Sequence, residues 1–177
     1  MIRIREHNAE VLYAEDPIVR VDRDDIKFLV ERAAQNPRKR IRLCAHKDVT
    51  DKLHEMLIVH ARECYVRPHK HLAKSESFHV ISGIVDIALL NETGNLVDVI
   101  PMGDYASGRE FYYRLADPRY HTLLIRSDYV VFHETTNGPF NRADTIFAPW
   151  SPDLEDTAGA KRFLEELDQK VQRHLAK

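Results

Sequence analysis

The side chains able to do chemistry concentrate in one stretch, Pro68-His69-Lys70-His71-Leu72-Ala73-Lys74-Ser75-Glu76-Ser77-Phe78-His79-Val80-Ile81-Ser82-Gly83. Residues two apart on a strand share a face, so His69 and His71 point together and Lys70 points away. After four further residues Glu76 opens a second strand and shares its face with Phe78 and Val80, which read as core. Two imidazoles and a carboxylate on the inner face of a barrel are costly to bury unpaired. A divalent cation removes that cost, and this donor set suits Fe, Mn, Ni or Zn. The fourth donor is expected from a distant strand. His121 alternates with Thr122 and Leu124 and joins the apolar row of Leu123 and Ile125. Taken alone, His121 reads more simply as an ordinary hydrogen-bonded histidine. The spacing of His69, His71, Glu76 and Gly83 as a unit is harder to ascribe to coincidence. His79 has the opposite parity to Glu76 and is expected outside the site.

Polar residues around this segment are candidates for holding a substrate. Arg67, Lys70 and Lys74 flank it and can attract an anionic group, although parity turns Lys70 outward. Glu134 shares parity with Val130 and Phe132, which makes it the candidate catalytic base or a support for the ligands; a salt bridge with Arg142 is the alternative. Tyr120 and Trp150 complete the substrate-contact candidates, Tyr120 reading otherwise as structural and Trp150 serving either as a packing anchor or as an aromatic wall for a sugar ring. Tyr112 and Tyr113 read as structural, His46 and His54 as rim residues at most, and Cys64 as a small buried side chain.

The elements that must position these groups follow from periodicity. Asp22 is a helix N-cap signal with Asp25 at the capping-box position, and Ile26, Leu29, Val30 and Ala33 recur on one helical face. Pro37 predicts the end of that helix near Asn36. The basic run Arg38-Lys39-Arg40 with Arg42 reads as a solvated stretch entering a strand, or as an anion site. Ile2, Ile4, Val11 and Leu12 can supply an edge strand. From residue 53 onward the chain turns to short branched and aromatic runs at 56–59, 77–81, 84–90, 96–100, 122–125 and 129–132. Turn signals separate them, including a hairpin signal at Gly94. Many short strands without intervening helices argue for a sandwich or small barrel. Beyond Trp150, Ala160, Phe163, Leu164, Leu167, Val171 and Leu175 predict an amphipathic C-terminal helix. The expected organisation is an N-terminal extension with one helix (1–52), a β-barrel (53–152) and a C-terminal helix (153–177).

Composition narrows the function classes. The 177 residues suit one domain with its own core, and 44% apolar with 31% charged residues excludes a disordered or coiled-coil chain. A net charge of −2 gives no footprint for nucleic acid. Two cysteines, Cys44 and Cys64, cannot form a disulfide framework. No apolar run approaches a membrane span, and the charged first residues lack the run of a signal peptide. The expectation is therefore a cytoplasmic protein without nucleic-acid or membrane partners. Ten histidines is a high share, and six of them (His54, His60, His69, His71, His79 and His121) fall between residues 54 and 121.

His69, His71, Glu76 and Gly83 resemble the first motif of the cupins, His-x-His, three or four residues, Glu, six residues, Gly, and His121 corresponds to the histidine of the second motif. Glu63 stands where the motif's leading glycine is expected, and Asp117-Pro118-Arg119-Tyr120 replaces the second motif's Pro-x-Gly lead-in. Within the cupins the chain is most similar to the WbuC-type metalloproteins. That likeness runs from about Arg40 to Pro152 and includes Arg67-Pro68-His69-Lys70-His71, Tyr120-His121-Thr122, Phe132-His133-Glu134-Thr135 and Ala148-Pro149-Trp150-Ser151-Pro152. The resemblance implies a mainly β cupin jelly roll with one divalent transition metal ion on His69, His71, Glu76 and His121. It also implies a small-molecule substrate from the polar metabolites, with sugars and sugar nucleotides suggested by the association of these proteins with polysaccharide clusters. A homodimer is expected. Three functions fit: a metal-dependent enzyme, a metal-dependent binding module, and a structural role for the histidines.

Overall fold

The computed structural model describes residues 2–177. Helix α1 (Arg23–Gln35) starts where the capping signal places it. The Asp22 side chain accepts from the Asp24 and Asp25 N–H groups, and Asp25 accepts from the Asp22 N–H in return. It ends at Asn36, whose extended backbone precedes Pro37.

Twelve strands make up the rest of the body: β1 (Ile4–Asn8), β2 (Val11–Ala14), β3 (Arg40–Cys44), β4 (Leu53–Ala61), β5 (His69–His71), β6 (Glu76–Ser82), β7 (Ile84–Leu90), β8 (Leu96–Gly103), β9 (Tyr112–Leu115), β10 (Tyr120–Ile125), β11 (Tyr129–Asn137) and β12 (Thr145–Phe147). They form a seven-stranded sheet ordered β1-β2-β3-β4-β11-β6-β9 and a five-stranded sheet ordered β12-β5-β10-β7-β8. Every pairing is antiparallel except β2 with β3. The two sheets face each other as the jelly roll expected from the cupin resemblance. Residues before 53 do more than precede the roll: they extend its larger sheet by three strands. Helix α2 (Thr157–Leu175) is the expected C-terminal helix.

Alternation sorts the apolar side chains into three layers. Met56, Ile58, Phe78, Val80, Leu123, Ile125 and Phe132 fill the roll. Leu12, Leu29, Ala33, Ile41, Leu43, Val59 and Val131 pack the back of the larger sheet against α1. Leu90, Val99, Tyr120, Leu124, Leu167 and Val171 join α2 to the back of the smaller sheet. Adjacent residues on β10 thus serve opposite faces, as the period of two requires.

Register arranges the inner face of the larger sheet in rows. His54, Thr136 and Glu76 form one row. Cys44, Met56, Glu134, Phe78 and Tyr113 form the next, followed by Arg42, Ile58, Phe132 and Val80. Gly83, between β6 and β7, holds φ at +93°, and a Cβ there would collide with the Tyr129 carbonyl oxygen. Only glycine fits this turn without strain.

Helix α2 is also pinned by charge. Asp86 is buried on the outer face of β7 and accepts from Arg126 Nε at 2.7 Å, while Arg126 Nη1 reaches Asp168 of α2 at 2.5 Å. Removing the cation leaves the buried carboxylate with only the longer, 3.5 Å contact to Arg109. Arg126→Met is expected to destabilise the fold by about 3 kcal/mol, whereas Asp168→Asn, at the exposed end of the bridge, costs much less; urea unfolding of the two variants measures the difference.

Candidate metal centre

Strand β5 places His69 and His71 on one face, and β10 pairs with it so that His121 lies directly opposite His69. The ligand-capable nitrogens of His69, His71 and His121 all lie within 4.8 Å of one another. Glu76, first residue of β6, enters from the other sheet. Its Oε2 lies 3.2 Å from His71 Nε2 and its Oε1 3.0 Å from His121 Nε2. Each imidazole is also held from behind. His69 Nδ1 is 2.9 Å from the Arg67 carbonyl, His121 Nδ1 is 3.0 Å from the Arg119 carbonyl, and His71 Nδ1 is 3.2 Å from Thr145 Oγ1. A carbonyl can only accept, so the Nδ1 atoms of His69 and His121 donate, and their Nε2 atoms turn inward. This is the arrangement by which proteins orient metal-binding histidines. Tyr113 of β9 donates to Glu76 Oε1 at 3.1 Å. Nitrogen and carboxylate donors in this disposition fit a divalent transition metal.

Titration behaviour reflects the crowding. Burial pushes His69 down to about 3, with the charge of His121 adding to it. Burial alone would raise the Glu76 carboxyl, but the charge and hydrogen bond of His121, with the hydrogen bond from His71, hold it well below its usual range. His121 moves up for the reciprocal reason: the Glu76 charge and hydrogen bond outweigh its burial. Tyr113 is raised well above 10 by burial and by Glu76.

The four groups line a cavity of about 620 Å³ whose wall includes His54, Lys74, Phe78, Arg42, Leu123, Phe132 and Glu134. Glu134 faces into it, as parity predicts, and has no ion pair with Arg142 among the described residues. Burial, and then the charge of Glu76, push its carboxyl up to about 7.

The remaining candidates divide. Lys74 lines the cavity with its ammonium 5.5 Å from the Phe140 ring centroid. Arg67 also lines it, but it is paired with Asp153, bonded to Ser151 Oγ at 3.1 Å, and lies over Phe147. Lys70 points outward to Glu92 at 2.6 Å. Tyr120 and Trp150 serve packing, the alternative reading of each, rather than substrate contact. Tyr120 alternates with His121, so an inward His121 forces Tyr120 outward into the cluster beneath α2. Trp150 stacks on Phe163 of α2 and donates from Nε1 to the Glu92 carbonyl at 3.0 Å. Neither lines the cavity. His79 is exposed and lies outside the cluster, and Cys64 is buried with its thiol pushed up to about 12 by burial.

Sequence reasoning reads Tyr113 as structural, His54 as a rim residue at most and Arg42 as part of a basic run, and it does not name Thr145. Tyr113 sits on a short strand with no clear alternation, and Thr145 on a three-residue strand too brief to recognise. His54 and Arg42 carried a usable signal: His54 shares parity with Met56 and Ile58, and Arg42 alternates with Ile41 and Leu43.

Comparison with known proteins adds a coarse frame. A family model described as a domain of unknown function, DUF6016, matches residues 21–102. No curated protein matches the chain in sequence. Similar solved structures include the capsular polysaccharide assembling protein CapF from Staphylococcus aureus, 19% identical over 60% of this chain and 31% of that one, with a TM-score of 0.46. A sugar phosphate isomerase from a cupin superfamily, from Silicibacter pomeroyi, is 16% identical over 50% of this chain and 52% of that one, with a TM-score of 0.39. The cupin domain of Cnp3 from Schizosaccharomyces pombe is 10% identical over 56% of this chain and 64% of that one, with a TM-score of 0.44. The chain thus spans between 31% and 64% of the length of these proteins. No helix among the described residues is long and apolar enough to cross a membrane.

His60 gives the cavity wall a measurable pH dependence. It is buried edge-on against Phe132, its Nδ1 has no hydrogen-bond partner, and burial with Arg40 and Arg42 nearby pushes it from 6.5 down to about 3. Between those values the unfolded chain takes a proton that the folded chain refuses, so stability falls as pH drops from 6.5 toward 3. His60→Leu is expected to remove roughly 2–3 kcal/mol of the loss between pH 6.5 and 4, read as the difference between the two proteins' urea-unfolding free energies across that range.

Proposed function

We propose that the chain is a metal-dependent enzyme of the cupin type acting on a small polar metabolite, with His69, His71, Glu76 and His121 holding one divalent ion. One observation carries the reading: three imidazoles and a buried carboxylate converge on the wall of a cavity, with each imidazole Nδ1 engaged from behind. Iron, manganese, nickel or zinc each suit such donors. When bound, the ion supplies a Lewis acid that polarises a substrate oxygen.

The protein's own groups do the rest. The Arg67 and Arg119 carbonyls and Thr145 keep the imidazoles pointed inward, and Tyr113 fixes the Glu76 carboxylate. Phe78, Phe132 and Leu123 give the cavity wall its apolar surface. Glu134, with its carboxyl near 7, can take a proton from a substrate carbon or hydroxyl and return it at neutral pH. Lys74 and Arg67 are the substrate contacts this reading retains. The resemblance to WbuC-type proteins extends it to a sugar or sugar-nucleotide substrate of polysaccharide assembly and to a cytoplasmic homodimer.

Elemental analysis of purified variants tests the proposal. His71→Ala and Glu76→Ala are expected to lower metal content at least tenfold, while His79→Ala keeps it. Occupancy should fall as pH drops through the histidine range, because the ligands must be deprotonated. Glu134→Gln should retain the metal and lose turnover. Protein that takes up no stoichiometric Fe, Mn, Ni or Zn contradicts the reading, and metal-dependent binding with every ligand recovered unchanged replaces catalysis by a binding role.

A further inference from the structure

The acids and cations of the cavity wall do not cancel. Glu76 is matched by its histidines. Glu10 is matched by Arg40 at 2.7 Å and Arg38 at 3.3 Å, and Arg67 by Asp153. Three wall cations remain without a carboxylate partner among the described residues: Arg42 and Lys74, both half-buried, and Arg142, which is exposed. Arg42 Nη1 rests 4.0 Å from Met56 Sδ, so the guanidinium reaches back over the row that holds Glu134.

Glu134, the remaining acid of this wall, is displaced toward its neutral form by burial and by Glu76, while Arg42 and Lys74 act on it in the opposite sense.

We infer that Arg42 and Lys74 form a subsite for a phosphoryl group of the substrate, in the cavity that the metal cluster also lines. Two full positive charges suit a dianion with several acceptor oxygens better than a monoanionic carboxylate. Arginine favours such groups because its planar fork meets two oxygens at once. The inference rests on the proposed reading of this cavity as the substrate site, and it moves anion recognition away from Arg67, whose charge is already matched.

Titration of metal-loaded protein at low ionic strength with inorganic phosphate, and in parallel with acetate, tests it. Wild-type protein should bind phosphate more tightly than acetate. Arg42→Met and Lys74→Met should each weaken phosphate binding about tenfold, and the double variant further, with metal content unchanged. Equal phosphate affinity in the wild type and the double variant overturns the subsite, as does a preference for acetate. Should Arg42→Met fail to fold, Lys74→Met, which alters a loop residue, decides alone. Metal-replete protein that binds no phosphate refutes the subsite while the metal reading stands. Phosphate binding lost in Arg42→Met, by protein that holds no metal, supports the subsite and refutes the metal reading.

Discussion

Glu76 is a carboxylate with 5% of its surface exposed, set into the inner wall of the roll. An ionised group in such a place is destabilising by several kcal/mol unless it is paired and hydrogen-bonded. The protein answers with a nitrogen of His71, a nitrogen of His121 and the hydroxyl of Tyr113, drawn from three other strands. The mutual opposition of the shifts at Glu76 and His121 expresses this: each is stable in its charged form because the other is. A proton on His121 is therefore the simplest counter-charge for Glu76, and a divalent cation at the same point replaces it with a stronger one, releasing the proton as it binds.

That demand for convergence constrains the rest of the roll. The donors come from both sheets, so the sheets' separation and register must be set elsewhere. Thr122, which alternates with His121, donates to the Val66 carbonyl at 2.5 Å and ties β10 to the segment that leads into His69. Gly83 lets β6 reverse tightly into β7, which delivers β7 beside β10. A slip of one residue on β10 would bring Tyr120 or Thr122 inward in place of His121. The apolar rows on both faces oppose that slip, because Leu123 and Ile125 belong to the roll while Tyr120 and Leu124 belong to the α2 layer.

Parity explains both what could be read from the sequence and what could not. Long strands announce their faces: Glu76 with Phe78 and Val80, Glu134 with Phe132, and His121 with Leu123 all follow from alternation. The Asp22 cap and Pro37 likewise bracket α1, since capping chemistry is local. Tyr113 and Thr145 were hidden because β9 and β12, four and three residues long, have too few positions to show a period. Tyr120 is the instructive case. Its outward position follows from the same alternation that turns His121 inward. Trp150 depends on tertiary packing against α2, which no local pattern encodes. The pairing of Arg67 with Asp153 likewise joins segments that sequence alone does not bring together.

The first fifty residues bear on the site through the same logic. β3 alternates Arg40, Ile41, Arg42 and Leu43, and the two apolar members sink into the layer under α1 with Leu29 and Ala33. Burying those two side chains stabilises the strand by about 2 kcal/mol each. It also leaves the arginines no choice of face: they must line the cavity. A dry contact on one side of a strand thus holds a charge on the other. Helix α1, well removed from the histidines, is in this sense part of the cavity's electrostatics, since loosening its packing would free β3 to rotate and carry Arg42 away from the wall it shares with Glu134.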